Sequence, residues 1–551
     1  MQKVIGKIFP AFILAATLAA VSAAADDNAR RLTHDQAVKD TRYFLSLLES
    51  THADPYTNLG GKVAFKRQAN QLVKDIPADG LTVGELADRL SAFILPLHDG
   101  HTHLSGASRE RWVDPSAQLA VKFGIASDGL FIEGSDLPDL KDAHGARLAA
   151  VNGHPVSGML DLVNAQLSLE NIYGSYTGLD LVLHSYKRLH NILPDLDRSA
   201  GVAYTLTNPQ GVTVQKTVHW GGDHPEDAAK WSDAPLRWPE MTHPGDEFYY
   251  AFLDGGKTGY LRVPTMTPRE SYEIMKGYHI GDLKGTLERY YKSHKKDMPA
   301  DLDEAIAGVP SLNETGLQLL QEMKRRGTPN LVIDLRGNGG GSTPVIVPFF
   351  YRIWGDAYYA RPAEDESVQV VSPLSLEQRH TTIEEEKKKH PDFEIGQYEF
   401  TADREERTAE EKRNRQFKTW KENNLDWSTP LEALNGKPFY QPKKVVVLCD
   451  PGTFSAAFQA AFIAHQAGAA VVGVPPAQSP NAFMGGTEFV LPESGIKGII
   501  SQGMQMFMPK DPRANIFHPD FEATYAVFVR YNFDQETILR YALELLDNGK
   551  I

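Results

Sequence analysis

The sequence predicts an α/β protein built on parallel βαβ units, preceded by a helical N-terminal part and a β-rich middle. Three observations carry this. First, the apolar run Lys444-Val-Val-Val-Leu-Cys449, the turn Asp450-Pro-Gly-Thr453, an alanine-rich stretch from Ser455 to Gln466 and the apolar run 469–474 follow one another. Strand, helix and strand at this spacing imply a parallel pair, because a crossover of this length is what parallel strands need. Second, Asn330-Leu-Val-Ile-Asp-Leu335 reads as another buried strand. It follows a short amphipathic helix through Leu317, Leu320 and Met323, with Gly327 placed where a left-handed backbone ends a helix at least cost. Thr258-Gly-Tyr-Leu-Arg-Val263 opens this unit as a further strand. Third, Leu86, Leu90, Phe93, Ile94 and Leu97 recur at three- and four-residue spacing within a helical pattern over 34–97. After it come short alternating runs, with Asn152-Gly153 as a hairpin signal and 202–220 as a further β segment.

Size and charge narrow the function. A chain of 551 residues has room for about three or four domains. At 42% hydrophobic and 23% charged residues it is globular rather than disordered or collagen-like. Lys plus Arg number 57 against 71 for Asp plus Glu, a net charge of −14, which argues against a nucleic-acid partner. Cys449 is the single cysteine, so neither an intrachain disulfide nor a cysteine zinc site can form. Residues 1–25 combine two lysines, an apolar stretch from Ile8 to Val21 and the small residues Ala23 and Ala25, the pattern of a secretory signal peptide. That stretch is short for a membrane span, so the mature chain is expected to be exported (periplasmic or extracellular), without stable membrane insertion. The expected organisation is a helical N-terminal domain at 26–108, a β-rich region at 109–255, core segments at 256–361 and 437–551, and a charged, solvated helical insertion at 362–436. In that insertion Glu411 and Arg415 are spaced for a helical ion pair.

Three segments bear chemistry. Arg336-Gly-Asn-Gly-Gly-Gly-Ser342 lacks the lysine of a phosphate loop and the third glycine of a dinucleotide loop. Its bare backbone N–H groups suit either a tight turn or half of an oxyanion hole. Ser455, at a strand-to-helix turn, is read as a helix N-cap or as a nucleophile with the Ala456 N–H beside it. His98-Asp-Gly-His-Thr-His103 offers three imidazoles, as metal ligands of an amidohydrolase or as a general base for a distant serine.

Taken together, Leu97 to Thr102, Ala146 to Val156, Asn330 to Gly341 and Val445 to Ala456 resemble the C-terminal-processing (tail-specific) protease family of serine peptidases, in its tricorn-core-like branch. The resemblance implies a crotonase-like core and a PDZ-like β module in degenerate form. It further implies Ser455 as nucleophile, His101 as base, and the N–H groups of Gly340 and Ala456 as oxyanion donors, with Gly339 the close alternative to Gly340. The substrate would be a protein or peptide, and neither cofactor nor metal is implied. Many members carry a lysine about 25 residues after the serine; here Gln478 to Met484 contains none, which favours the histidine version. The residue that orients His101 is not identified, and Glu488 and Glu493 are candidates. The alternatives are a non-catalytic peptide- or ligand-binding relative and, more remotely, a metal-dependent amidohydrolase. Substrate specificity and oligomeric state are not legible.

Overall fold

The computed structural model describes residues 28–105, 121–135, 140, 142–220, 248–361, 366–400, 407–511 and 513–551. The expected leader at 1–25 lies outside them.

The N-terminal part is helical as expected. Helices α1 (His34–Thr51), α2 (Lys62–Lys74) and α3 (Val83–Ile94) bury Phe44, Leu48, Phe65, Leu86 and Leu90 against one another. Thr33 and Thr82 open α1 and α3 with capping boxes, each threonine accepting from the N3 backbone while Gln36 or Glu85 accepts from the cap residue. A short strand β1 (His103–Ser105) leads out of this part.

Next comes a separate β module with its own core. Strands β2 (Val121–Ala126), β3 (Gly129–Ser135) and β4 (Arg147–Val151) precede helices α4 (Val156–Asn164) and α5 (Ile172–Leu183), and β5 (Val202–Thr207) and β6 (Thr213–Val218) follow. The sheet runs β2-β3-β4-β5-β6, antiparallel throughout. Asn152 (φ 47°) and Gly153 (φ 79°) form the turn after β4, as the dipeptide predicts.

The core sheet holds β7 (Tyr249–Leu253), β8 (Thr258–Arg262), helix α6 (Leu312–Arg326) and β9 (Asn330–Asp334). Residues 249–253, grouped by sequence with the β module, pair instead with β8 in a hairpin and so belong to the core. The stripe on α6 is Leu312, Leu319, Leu320 and Met323; Gly327 closes the helix at φ 69°. Strand β10 (Glu366–Val370), strand β11 (Tyr398–Phe400) and helix α7 (Ala409–Glu422) follow. Then come β12 (Lys444–Cys449), helix α8 (Ala456–Gln466), β13 (Ala470–Gly473), the long hairpin β14 (Asn481–Val490) and β15 (Lys497–Met506), β16 (Phe521–Glu522) and helix α9 (Thr537–Asp547). The core order is β7-β8-β9-β12-β13-β16, parallel from β8 onward. The α/β expectation with parallel βαβ units therefore holds.

The segment 362–436 is more than a solvated insertion. β10 joins β15 in an antiparallel sheet, and Phe417, Trp420, Trp427 and Leu431 enter the main core. Its charges are not all solvated: Arg413 is buried on the same side of α7 as Phe417 and Trp420 and pairs with Asp356 at 2.7 Å, while Glu411 is used in the α7 capping box with Thr408. Trp420 is 1% exposed and stacks on Phe417 at 5.5 Å. Trp420→Ala should destabilise the whole protein by about 3–5 kcal/mol, because a large cavity opens in the shared core. Chemical denaturation would show this as one shifted transition, whereas a peripheral insertion would leave the main transition in place.

Candidate active site

Ser455 sits between β12 and α8 in a backbone conformation (φ 53°, ψ −121°) that a non-glycine residue adopts only at a cost of about 1–3 kcal/mol. Its neighbours hold it there. The Phe454 N–H donates to the Asn338 carbonyl at 2.9 Å, the Thr453 hydroxyl donates to the Leu335 carbonyl at 3.0 Å, and the Ser455 N–H donates to Gln478 Oε1. The plain N-cap role is not taken, since the Ser455 side chain makes no cap hydrogen bond. A strained residue at a helix start, with its hydroxyl uncommitted and the Ala456 N–H next to it, is how a nucleophile is presented.

Gln478 is fully buried, and its Nε2 has no partner among the described residues. Gln478→Ala should remove the acceptor that fixes the Ser455 backbone. The cost is about 1–3 kcal/mol for the orphaned N–H, visible as a lower Tm, together with a fall in kcat.

The glycine loop is anchored from below by buried charge. Arg336 Nη2 donates to Asp334 Oδ2 (2.7 Å) and Glu536 Oε2 (2.8 Å), and Arg262 Nη1 lies 3.1 Å from Asp334 Oδ1. Burial pushes the Asp334 carboxyl up, but the two guanidinium groups outweigh it and hold it well below the ordinary carboxylate range. Gly337 N–H donates to Asp450 Oδ1 at 2.8 Å, which ties the loop to the turn before Ser455.

Gly340 comes closest to the serine. At φ 106°, a Cβ there would lie 2.7 Å from the Ser455 Cβ and 2.9 Å from the Phe454 carbonyl oxygen. Its N–H, however, donates to Asn338 Oδ1 at 2.9 Å, so the expected Gly340 donor is occupied in this conformation. The reason is local: Asn338 folds an Asx turn over the loop, while its Nδ2 donates to the Val263 carbonyl at 2.8 Å. Among the described residues, neither the Gly339 N–H nor the Ala456 N–H donates a hydrogen bond. The alternative pair, Gly339 and Ala456, is therefore the one left uncommitted.

His101 is 3% exposed, and its ring lies 5.1 Å from that of Phe454, the residue before Ser455. Both ring nitrogens are buried without a hydrogen-bond partner among the described residues. Burial lowers the imidazole below its ordinary value, only partly opposed by Asp99, so the ring is neutral as a general base must be. Asp99 accepts from the His101 backbone N–H at 2.8 Å and pairs with His52 Nε2 at 3.2 Å, both side chains fully buried. The other imidazoles of the segment diverge: His98 is exposed, and His103 Nδ1 faces the His101 carbonyl at 3.0 Å. No hydrogen bond links His101 to Ser455 here, but the His101 ring lies against Phe454, the residue that immediately precedes Ser455.

Neither candidate for the orienting acid is near. Glu493 pairs with Lys39 on the α1 side at 2.5 Å, and Glu488 is exposed on β14. Glu170 occupies that place instead, with Oε1 at 3.9 Å from His101 Nδ1 and its side chain 3% exposed. Nothing local in Leu169-Glu170-Asn171 marks it from sequence, since it reads as the residue before a helix cap.

Residues 309–480, spanning α6, the glycine loop, Ser455 and Gln478, match the model of peptidase family S41. Over that segment the chain is similar to the S41 peptidases. That similarity supports a serine-type hydrolase. The structure of mature CPAF complexed with lactacystin is similar at 17% identity and a TM-score of 0.53, over 94% of this chain and 99% of that one. Mature CPAF alone gives 17% identity and a TM-score of 0.52, over 94% and 98%. The photosystem II D1 C-terminal processing protease gives 14% identity and a TM-score of 0.38, over 92% and 96%. No curated protein sequence matches the chain. At these identities the CPAF likeness is one of fold, and the S41 match rests on the core itself.

Proposed function

We propose that this chain is an exported serine peptidase in which Ser455 attacks a peptide carbonyl with His101 as general base. The observation that carries the reading is the strained, uncommitted Ser455 at the start of α8, walled by the glycine loop. His101 takes the hydroxyl proton as the tetrahedral intermediate forms and returns it to the leaving amine. The Ala456 and Gly339 N–H groups face the developing oxyanion, and Gly340 joins them if Asn338 releases its N–H. The imidazole and hydroxyl must close to about 2.6–3.2 Å in the substrate complex, a tightening common to hydrolases of this type. The leader at 1–25 supports export, and the oxyanion donors suit any unfolded peptide that can enter.

The occupied Gly340 donor and the absent Ser455–His101 hydrogen bond favour a second reading, a relative that holds peptides without cutting them. One experiment separates the two. Purified protein is incubated with an unfolded protein substrate, beside Ser455→Ala and His101→Ala variants and a chelator-treated sample. Turnover lost in both variants and kept with chelator is the expected result. Binding without turnover in every sample selects the holding role, and hydrolysis that the chelator removes would point to a metal reaction.

A further inference from the structure

Among the described residues, the β module meets the catalytic centre in the stretch that leads into α5, where Ser168 Oγ accepts from the Asp99 N–H at 2.9 Å. Asn171 caps α5 by accepting from the Tyr173 and Gly174 N–H groups, and its Nδ2 donates to the Pro476 and Asn515 carbonyls of the core, each at 3.0 Å. The Ser479 hydroxyl donates back to the Glu170 carbonyl at 3.2 Å. Tyr173 is buried in a cluster with Tyr260, Val332 and Val446 of the core sheet. This plug delivers Glu170. Its carboxyl accepts from the Ser479 N–H at 2.8 Å and from the Gly100 N–H at 3.3 Å, and faces His101 Nδ1. Glycine at 100 is required for that approach, since a Cβ there would lie 2.7 Å from Glu170 Oε1 and 2.9 Å from the Phe454 ring.

We propose that Glu170 is the positioning residue for His101, and that the β module, by supplying it, makes turnover conditional on its own docking. This rests on the reading of Ser455 and His101 as the hydrolytic pair. Ionised, the carboxylate fixes the ring through Nδ1, leaves Nε2 to accept the serine proton and stabilises the imidazolium. Protonated, it does neither.

Burial raises the Glu170 carboxyl to about 8, against the two backbone N–H groups that favour the ionised form. The groups facing it are His101, held neutral by burial, and Asp99, a like charge paired with His52; His103 lies beyond His101. Residues 476–479 and Phe454 bring no charge. Turnover should thus rise with pH through about 8, above the range where a lowered imidazole titrates. The same ionisation acts on stability in the opposite sense. A folded pKa above the ordinary 4.5 means a contribution complete below pH 4.5 and lost as pH rises through about 8.

The test is the pH profile of kcat and KM for the full chain and its Glu170→Gln and Glu170→Asp variants, with Ser455→Ala as reference. Glu170→Gln should lower kcat on the order of 10²- to 10⁴-fold with KM little changed, and erase the limb near pH 8. It should also melt above the wild type at pH 9 and match it at pH 4. Glu170→Asp should keep a displaced limb and intermediate kcat. Unchanged kcat and profile in Glu170→Gln, with Ser455→Ala inactive, overturn the proposal and leave the hydrolytic pair standing. Turnover surviving in Ser455→Ala overturns both. Should Glu170→Gln fail to fold, absence of an ionisation near pH 8 in the wild type and in Glu170→Asp overturns the proposal, and its presence supports it.

Discussion

Ser455→Ala should lower kcat by on the order of 10⁴- to 10⁶-fold while leaving Tm and peptide binding nearly unchanged. The hydroxyl accepts or donates no hydrogen bond to a described residue, so its removal orphans no buried group. The backbone strain at φ 53° is common to serine and alanine, and the bonds that impose it come from main chain and Gln478. His101→Ala should fall to a similar floor, and the double variant should be no worse than either single one. Groups that act in one step lose their effect together, and the rate remaining is that of the oxyanion donors and substrate binding. Independent losses that multiplied in the double variant would mean that the two residues do not share a step.

Gly340→Ala should be nearly as damaging to turnover, and it should also cost stability. The added methyl meets the Ser455 Cβ at 2.7 Å and the backbone of Phe454 and Ala456 at 2.9 and 3.1 Å, at φ 106° where a side chain is strained in any case. None of those neighbours is the flexible end of a long side chain, so the loop must move away from the serine. Losing one oxyanion donor costs about 10²–10³ in kcat, and a displaced loop loses the Gly339 donor along with the Asn338 clamp. Gly339→Ala is the contrast, since nothing lies within 4 Å of a Cβ there. Measured kcat and thermal melts should therefore separate two adjacent glycines, Gly340→Ala failing both and Gly339→Ala keeping its Tm.

Where the sequence was legible, a local rule decided the structure. The runs 330–335 and 444–449 are apolar on both faces and became central parallel strands; Asn152-Gly153 became a two-residue turn; Gly327 and Gly468 end helices at positive φ. Ser455 and the glycine loop were legible because each lies in a short stretch whose chemistry is local. Long-range pairing was not legible. Trp420 and Phe417 sit among charges that suggest a solvated helix, and only the core sheet shows what they pack against. Residues 249–253 resembled the preceding β runs until their pairing with β8 was seen. Glu170 lies 69 residues past His101 on another module, and no spacing rule joins a helix-cap neighbour to an imidazole. That the Gly340 N–H is engaged was not legible for a different reason: a side chain two residues away, Asn338, competes for it.

The central claim is that the Ser455 hydroxyl is the reacting nucleophile, activated at the meeting of the glycine loop and His101. Mapping the site of covalent attachment of a fluorophosphonate by peptide mass spectrometry tests it most directly. The expected result is a single adduct on Ser455, absent from Ser455→Ala, slowed in His101→Ala and formed faster at pH 9 than at pH 6. An adduct on another residue, or undiminished peptide hydrolysis by a preparation in which Ser455 is fully modified by the probe, would contradict it.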